Sequence, residues 1–139
     1  MARTQSFRDQ HEEILTIVRN IEAELVMDKL KKDPNTVLKM FAAFSGKLKI
    51  HLAMEDKGLY PMLAHHADQN VRMLGESYSK EMATITEAFM SFSKEWLNQV
   101  AIEKDPSGFV AATRKIFGAL GKRIDKENRE LYTAIEKSA

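Results

Sequence analysis

The sequence predicts an all-α protein, an up-down-up-down antiparallel four-helix bundle. Three observations carry that prediction. Apolar residues recur at spacings that alternate between three and four, helix-start signals punctuate the chain at a few points, and no apolar–polar alternation marks a strand. Short connections between long helices then make consecutive helices antiparallel neighbours.

The boundaries follow from the breakers. Asp33-Pro34-Asn35 and Asp105-Pro106-Ser107-Gly108 each place Asp before Pro, the order of an N-cap followed by the first helical position. Asp68, after His65-His66-Ala67, is placed to cap a third helix, and Ser6, with Asp9 three residues on, to cap the first. The expected helices run roughly over 6–32, 34–66, 69–101 and 106–137. The first stripe reads Phe7, His11, Ile14, Val18, Ile21, Leu25, and the second Val37, Phe41, Phe44, Leu48, His51, Glu55, Met62. The third reads Tyr78, Met82, Ile85, Phe89, Phe92, Trp96, and the fourth Phe109, Ile116, Leu120, Arg123, Glu127, Ala134. A break is expected near Gly58–Pro61, because Pro61 removes a backbone donor inside the second helix. Trp96, the phenylalanines and most of the eight methionines read as core filling.

Composition narrows the function classes. The chain has 139 residues, 44% apolar and 29% charged, which suits a single domain over 1–139. With 21 basic and 20 acidic side chains the net charge is +1, so neither nucleic acid nor an anionic membrane is expected as a partner. The absence of cysteine excludes a disulfide framework, a thiolate zinc site and a cysteine nucleophile. The opening MARTQSFRDQHEE turns charged at once and shows no apolar signal core, and no apolar run reaches the roughly 20 residues of a membrane span. A soluble, cytoplasmic protein is expected.

Five residues do not belong in the seams they occupy. His11, His51, Glu55, Arg123 and Glu127 stand where an ordinary bundle places Leu or Ile. An unpartnered buried ionisable group costs several kcal/mol, so five imply that they meet one another or a metal. Counted from the turns near residues 33 and 104, these five and Met82 fall at one level, roughly 33 Å away at a rise of 1.5 Å per residue. Intrusions without a shared role would not share a level.

An internal repeat marks the same layer. HLAMEDKGLYPML (51–63) aligns with RIDKENRELYTAI (123–135) at an offset of 72, matching Glu55 with Glu127, Leu59 with Leu131 and Tyr60 with Tyr132. At an offset of 71, FRDQHEEI (7–14) aligns weakly with YSKEMATI (78–85), which sets His11 opposite Met82. The halves read as degenerate copies about a pseudo-twofold axis.

An early-helix His, then HLAMEDKGLYP, then a second E-x-x-x-L-Y segment near the end resembles the hemerythrin-like His-His-Glu cation-binding domains over essentially the whole chain. The most specific part is His51-x-x-x-Glu55 followed by Leu59-Tyr60-Pro61. Ferritin-like bundles use Glu-x-x-His instead, so the spacing discriminates. The resemblance implies a hemerythrin-like bundle with a non-haem di-iron centre, held by histidines from all four helices and two bridging carboxylates. It also implies oxygen binding, oxygen or redox sensing, or metal handling. His11 and His51 match the two histidines serving one metal, and Glu55 and Glu127 match the bridging carboxylates. The three histidines of the other metal would fall at 78, 82 and 123, where this chain has Tyr78, Met82 and Arg123. His65 and His66 read as a helix C-terminus at the open edge and not as substitutes.

The expected ligand set is therefore His11, His51, Glu55 and Glu127, holding at most one non-haem ion, with iron first and zinc or manganese as alternatives. A metal-free core is the other reading, with the Arg123 guanidinium standing between Glu55 and Glu127 in the place of the absent cation. Tyr60, Tyr78 and Tyr132 read as supporting hydroxyls or as packing. No phosphate loop, substrate-pocket motif or nucleophile arrangement is present, so no catalytic residue is assigned. Two function classes follow: a metal protein that binds, stores or senses a metal ion or dioxygen, or a metal-free interaction or regulatory bundle whose protein partner the sequence does not name.

Overall fold

The computed structural model describes residues 2–137, which are helical but for short connections and contain no strand. The helices are α1 (Ala2–Ala23), α2 (Met27–Lys32), α3 (Pro34–Met54), α4 (Tyr60–Ala64), α5 (Gln69–Trp96), α6 (Gln99–Lys104), α7 (Pro106–Lys126) and α8 (Tyr132–Lys137). Two π-helical turns, Glu55–Leu59 and Glu127–Leu131, join α3 to α4 and α7 to α8 without interrupting the helical path. The long helices pack α1 on α3 and α7, and α5 on α7, with α4 against the start of α5. None of these helices is long and apolar enough to cross a membrane.

The boundary signals hold in part. Asp68 accepts from the Asn70 amide at 2.8 Å and Asp105 from the Gly108 amide at 3.0 Å, as N-caps do. Asp33 precedes Pro34 at the helix start, yet its carboxylate takes the Thr36 hydroxyl at 2.8 Å and caps no amide. Ser6 is a correction: α1 is already running at Ala2, so Ser6 lies inside the helix on its exposed face. The expected single helices over 6–32 and 69–101 are each divided. The first breaks between Ala23 and Met27, and the second at Leu97-Asn98, where Asn98 caps α6 through the Ala101 amide at 2.8 Å.

The break expected at Gly58–Pro61 is a π turn that begins earlier, at Glu55. Proline is not its general cause, because the same turn recurs at Glu127–Leu131 with no proline near it. In each turn a tyrosine amide bonds the carbonyl five residues back: Tyr60 to Glu55, and Tyr132 to Glu127. In a regular α-helix such a pair would diverge by about 140°. The extra residue brings Glu55, Leu59 and Tyr60, and likewise Glu127, Leu131 and Tyr132, all into the interior. It also shifts the stripe beyond it, so Leu63 is buried where Met62 was expected, and Ala134 is only half-buried.

Two apolar clusters result. One is built around Phe41, Phe44, Phe92, Phe109 and Phe117, the other around Phe7, Leu59, Leu63, Tyr78, Leu131 and Tyr132. Gly75 lets α5 approach α4 closely, since a Cβ there would lie 2.8 Å from that of Leu63. Along α1, α3 and α7 with their continuations the first cluster gives way to the second through polar residues, and along α5 through Met82. His11 falls between Phe7 and Ile14, His51 and Glu55 between Leu48 and Leu59, and Arg123 and Glu127 between Leu120 and Leu131.

Candidate metal centre

That layer is closed to solvent: His11, Glu55 and Glu127 are 0% exposed, and His51 and Arg123 2%. One ligand-type atom from each of His11, His51, Glu55 and Glu127 lies within 4.8 Å of all the others. The two imidazole Nε2 atoms are 3.0 Å apart. His11 Nε2 is 3.1 Å from Glu127 Oε1, and His51 Nε2 is 3.3 Å from Glu55 Oε1. The helix explains the last pair, because positions four apart share one face. Glu55 Oε1 and Glu127 Oε1 are buried with no hydrogen-bond partner among the described residues, despite their nearness to the rings.

The remaining carboxylate oxygens are served by tyrosines. Tyr132 donates its hydroxyl to Glu55 Oε2 at 3.0 Å and also lies 3.3 Å from His11 Nε2. Tyr60 donates to Glu127 Oε2 at 3.4 Å. Burial first, and then the neighbouring carboxylates, push both phenols far above their ordinary range, so each is a fixed donor. Burial likewise pushes the Glu55 and Glu127 carboxyls up; at Glu55 the Glu127 carboxyl, His11 and the Tyr132 hydroxyl pull against it, and at Glu127 His11 pulls against it while Glu55 adds to it. For His51 burial works the other way and, with His11 beside it, holds the imidazole at about 4, so the ring is neutral at neutral pH.

Arg123 borders the cluster, in an arrangement that corrects the expected one. Its guanidinium does not sit between Glu55 and Glu127. Its Nε is 3.7 Å from Glu127 Oε2, its Nη1 is 3.4 Å from Glu81 Oε1, and its Nη2 donates to the Tyr60 hydroxyl at 3.2 Å and to the Tyr78 carbonyl. Glu55 is not an ion-pair partner, and Glu81, on the half-exposed edge of α5, is the carboxylate that the seam pattern missed. The guanidinium also lies over the Tyr78 ring, 4.3 Å from its centre, while the Tyr78 hydroxyl donates to the Lys126 carbonyl at 3.1 Å and to Glu130 at 3.3 Å. Burial opposes the charge on Arg123, but Glu127, Tyr60 and Glu81 outweigh it and raise the group above its ordinary value.

Met82 is buried but joins none of these contacts. It lines an apolar cleft with Leu48, Ile85 and Phe89. His65 is exposed at the end of α4 and His66 accepts from the Asp68 amide at 3.0 Å, so both lie with the α4–α5 connection and apart from the cluster. Two further residues touch it that sequence patterning did not single out. Gln10 places Oε1 at 2.6 Å from His51 Nδ1, and Asn128 places Oδ1 at 2.9 Å from His11 Nδ1. Each adjoins a seam residue in sequence, Gln10 before His11 and Asn128 after Glu127, which was the one available signal.

An all-helical fold with two imidazoles and two carboxylates converging in its core defines the class: a helical domain with a cation-binding type of cluster. A family model, the hemerythrin HHE cation binding domain, matches residues 3–135, and the chain belongs to that family. No curated protein and no solved structure matches it. The residues present fit one cation. Two carboxylate oxygens without partners and two ring nitrogens face a common point, a donor set of the kind that takes iron, zinc or manganese.

Proposed function

We propose that this chain is a hemerythrin-like protein that holds one non-haem metal ion of the iron type, for oxygen or redox sensing or for metal handling. His11, His51, Glu55 and Glu127 would be its ligands. In this reading residues 1–139 act as a single domain, and its four long helical passages form an up-down-up-down four-helix bundle. The single observation that carries the proposal is the convergence of four buried ligand atoms within 4.8 Å, two of them carboxylate oxygens with no hydrogen-bond partner. A bound ion of this type would supply a Lewis-acid and one-electron centre. The protein's own part is to keep water out, to fix Glu55 and Glu127 through Tyr132 and Tyr60, and to place a permanent charge, Arg123, on the side where a second ion would sit.

That charge also favours a second reading, a metal-free regulatory bundle in which Arg123 supplies the positive charge beside Glu127. Elemental analysis of protein purified under reducing, chelator-free conditions decides between them. Up to one ion per chain, lost in His51→Ala, supports the metal reading. Two tightly held irons per chain overturn it, and none in any preparation leaves the metal-free bundle.

A further inference from the structure

The two histidines are each bonded on both sides, and the two sides carry different information. On the outer side, His51 Nδ1 faces the Gln10 amide oxygen at 2.6 Å and His11 Nδ1 faces the Asn128 amide oxygen at 2.9 Å. An amide oxygen only accepts, so with the two amides oriented in this way each Nδ1 carries the proton. With Nδ1 protonated, the neutral form of each ring leaves Nε2 as its bare lone pair. The Gln10 amide is held in this orientation, because its nitrogen donates to Met54 Sδ at 2.9 Å and reversal would set oxygen against sulfur. Asn128 is delivered by the π turn that also delivers Glu127.

On the inner side, once both rings are neutral and both carboxyls ionised, as metal ligation requires, only acceptors face one another. The two Nε2 atoms lie 3.0 Å apart, with Glu127 Oε1 at 3.1 Å from one and Glu55 Oε1 at 3.3 Å from the other. The single Tyr132 hydroxyl proton, shared between Glu55 and His11, cannot serve all four.

We infer that Gln10 and Asn128 are positioning residues that lock His51 and His11 in the Nδ1–H tautomer, so that both Nε2 lone pairs meet at one point shaped for a cation. This rests on the metal-binding reading above and adds to it the residues that set the ligands. Carboxylate and carbonyl partners on the outer nitrogen of a metal-bound imidazole orient the ring and raise its basicity. Here the partners are neutral amides, which fix the tautomer without adding charge to a core that already holds two carboxylates.

The test uses the full chain, stripped of metal, at neutral pH. Two-bond proton–nitrogen correlation spectra report which ring nitrogen carries the proton, and calorimetry with Zn(II) reports affinity. The expected spectrum shows His11 and His51 both protonated at Nδ1. Asn128→Leu and Gln10→Leu should each weaken Zn(II) binding about 10- to 100-fold, whereas Asn128→Asp and Gln10→Glu, which keep an accepting oxygen, should retain it. An Nε2–H ring in the wild-type spectrum overturns the inference, and so do Leu variants that bind Zn(II) like the wild type. If Asn128→Leu fails to fold, the wild-type spectrum and the Gln10 pair still decide. A wild-type protein that shows both Nδ1–H rings yet binds neither Zn(II) nor Fe(II) sinks the metal-binding reading and leaves the tautomer assignment standing.

Discussion

Tyr60 and Tyr132 exchange partners across the core. The Tyr60 amide closes the π turn opened by Glu55, but its hydroxyl bonds Glu127; the Tyr132 amide closes the turn opened by Glu127, but its hydroxyl bonds Glu55. Each half of the repeat thus holds the other half's carboxylate. The exchange needs the extra residue of the π turn, since only then do a glutamate and the tyrosine five positions on both face inward.

The exchanged hydroxyls should be measurable in stability. Tyr132→Phe leaves Glu55 Oε2 without its donor at 3.0 Å, and Tyr60→Phe removes a longer bond of 3.4 Å. Hydrogen bonds to charged groups contribute about 1.5–3 kcal/mol, so Tyr132→Phe should destabilise the metal-free protein by that order and Tyr60→Phe by less. Urea unfolding of both variants against the wild type checks the ranking.

The repeat made much of this legible. The E-x-x-x-L-Y pattern, twice at an offset of 72, marks both π turns and both hydroxyl donors, although spacing alone gave no reason to expect a π turn. The weaker alignment at 71 holds more than it first shows. It pairs Gln10 with Glu81 and Phe7 with Tyr78, while the offset of 72 pairs His51 with Arg123. Gln10 bonds His51 as Glu81 pairs with Arg123, and Phe7 stands edge-on to His51 at 5.9 Å as Tyr78 lies under Arg123. An amide suits a neutral ring and a carboxylate suits a guanidinium, so in each half the partner matches the residue it serves. Glu81 carries no seam signal because it is half-exposed, and apolar stripes locate only what the core covers. The breaks at Ala23–Met27 and Leu97-Asn98 carry none because no Pro or Gly marks them.

Acid should act on His51 in a defined direction. In the metal-free protein its ring is held at about 4, against 6.5 for an ordinary imidazole, chiefly by burial and by His11. Between those values the unfolded chain takes up a proton that the folded ring refuses, so this ring's contribution to stability is full above pH 6.5 and is lost as pH falls towards 4. The difference corresponds to about 3 kcal/mol at most. Glu55 and Glu127, whose carboxyls burial raises, work in the opposite sense and take protons more readily when folded. Imidazole carbon shifts followed by NMR from pH 7 to 4 should show His51 neutral over most of that range; a midpoint near 6.5 contradicts the burial argument.

Histidine substitutions should separate the cluster from the α4–α5 connection. His51→Ala removes one of the four convergent atoms, whereas His66 lies in the α4–α5 connection, where it accepts from the Asp68 amide, and is not one of the four. Loss of a ligand should lower Fe(II) or Zn(II) affinity by orders of magnitude in His51→Ala and leave His66→Ala close to the wild type. Equal losses measured by calorimetry would move the metal site elsewhere.

Arg123 decides whether the core prefers a tethered cation to a bound one. Its guanidinium is 1% exposed and is held by Glu127, Glu81, the Tyr60 hydroxyl and the Tyr78 carbonyl and ring. Removing one partner of a buried ion pair leaves the other charge uncompensated, so Arg123→Ala should cost on the order of 3–5 kcal/mol in metal-free protein. Arg123→Lys keeps the charge but loses the planar fork and the stacking on Tyr78, and should recover only part of that loss. Glu81→Gln acts at a carboxylate that is 44% exposed and should cost at most about 1 kcal/mol. A divalent ion that binds only the folded state stabilises it by mass action, so added Zn(II) or Fe(II) should restore much of what Arg123→Ala loses. Unfolding of the wild type and the three variants, each with and without the ion, checks the whole set. An Arg123→Ala protein that unfolds like the wild type would place no energetic weight on the guanidinium, and a severe loss that no ion repairs would favour the metal-free bundle.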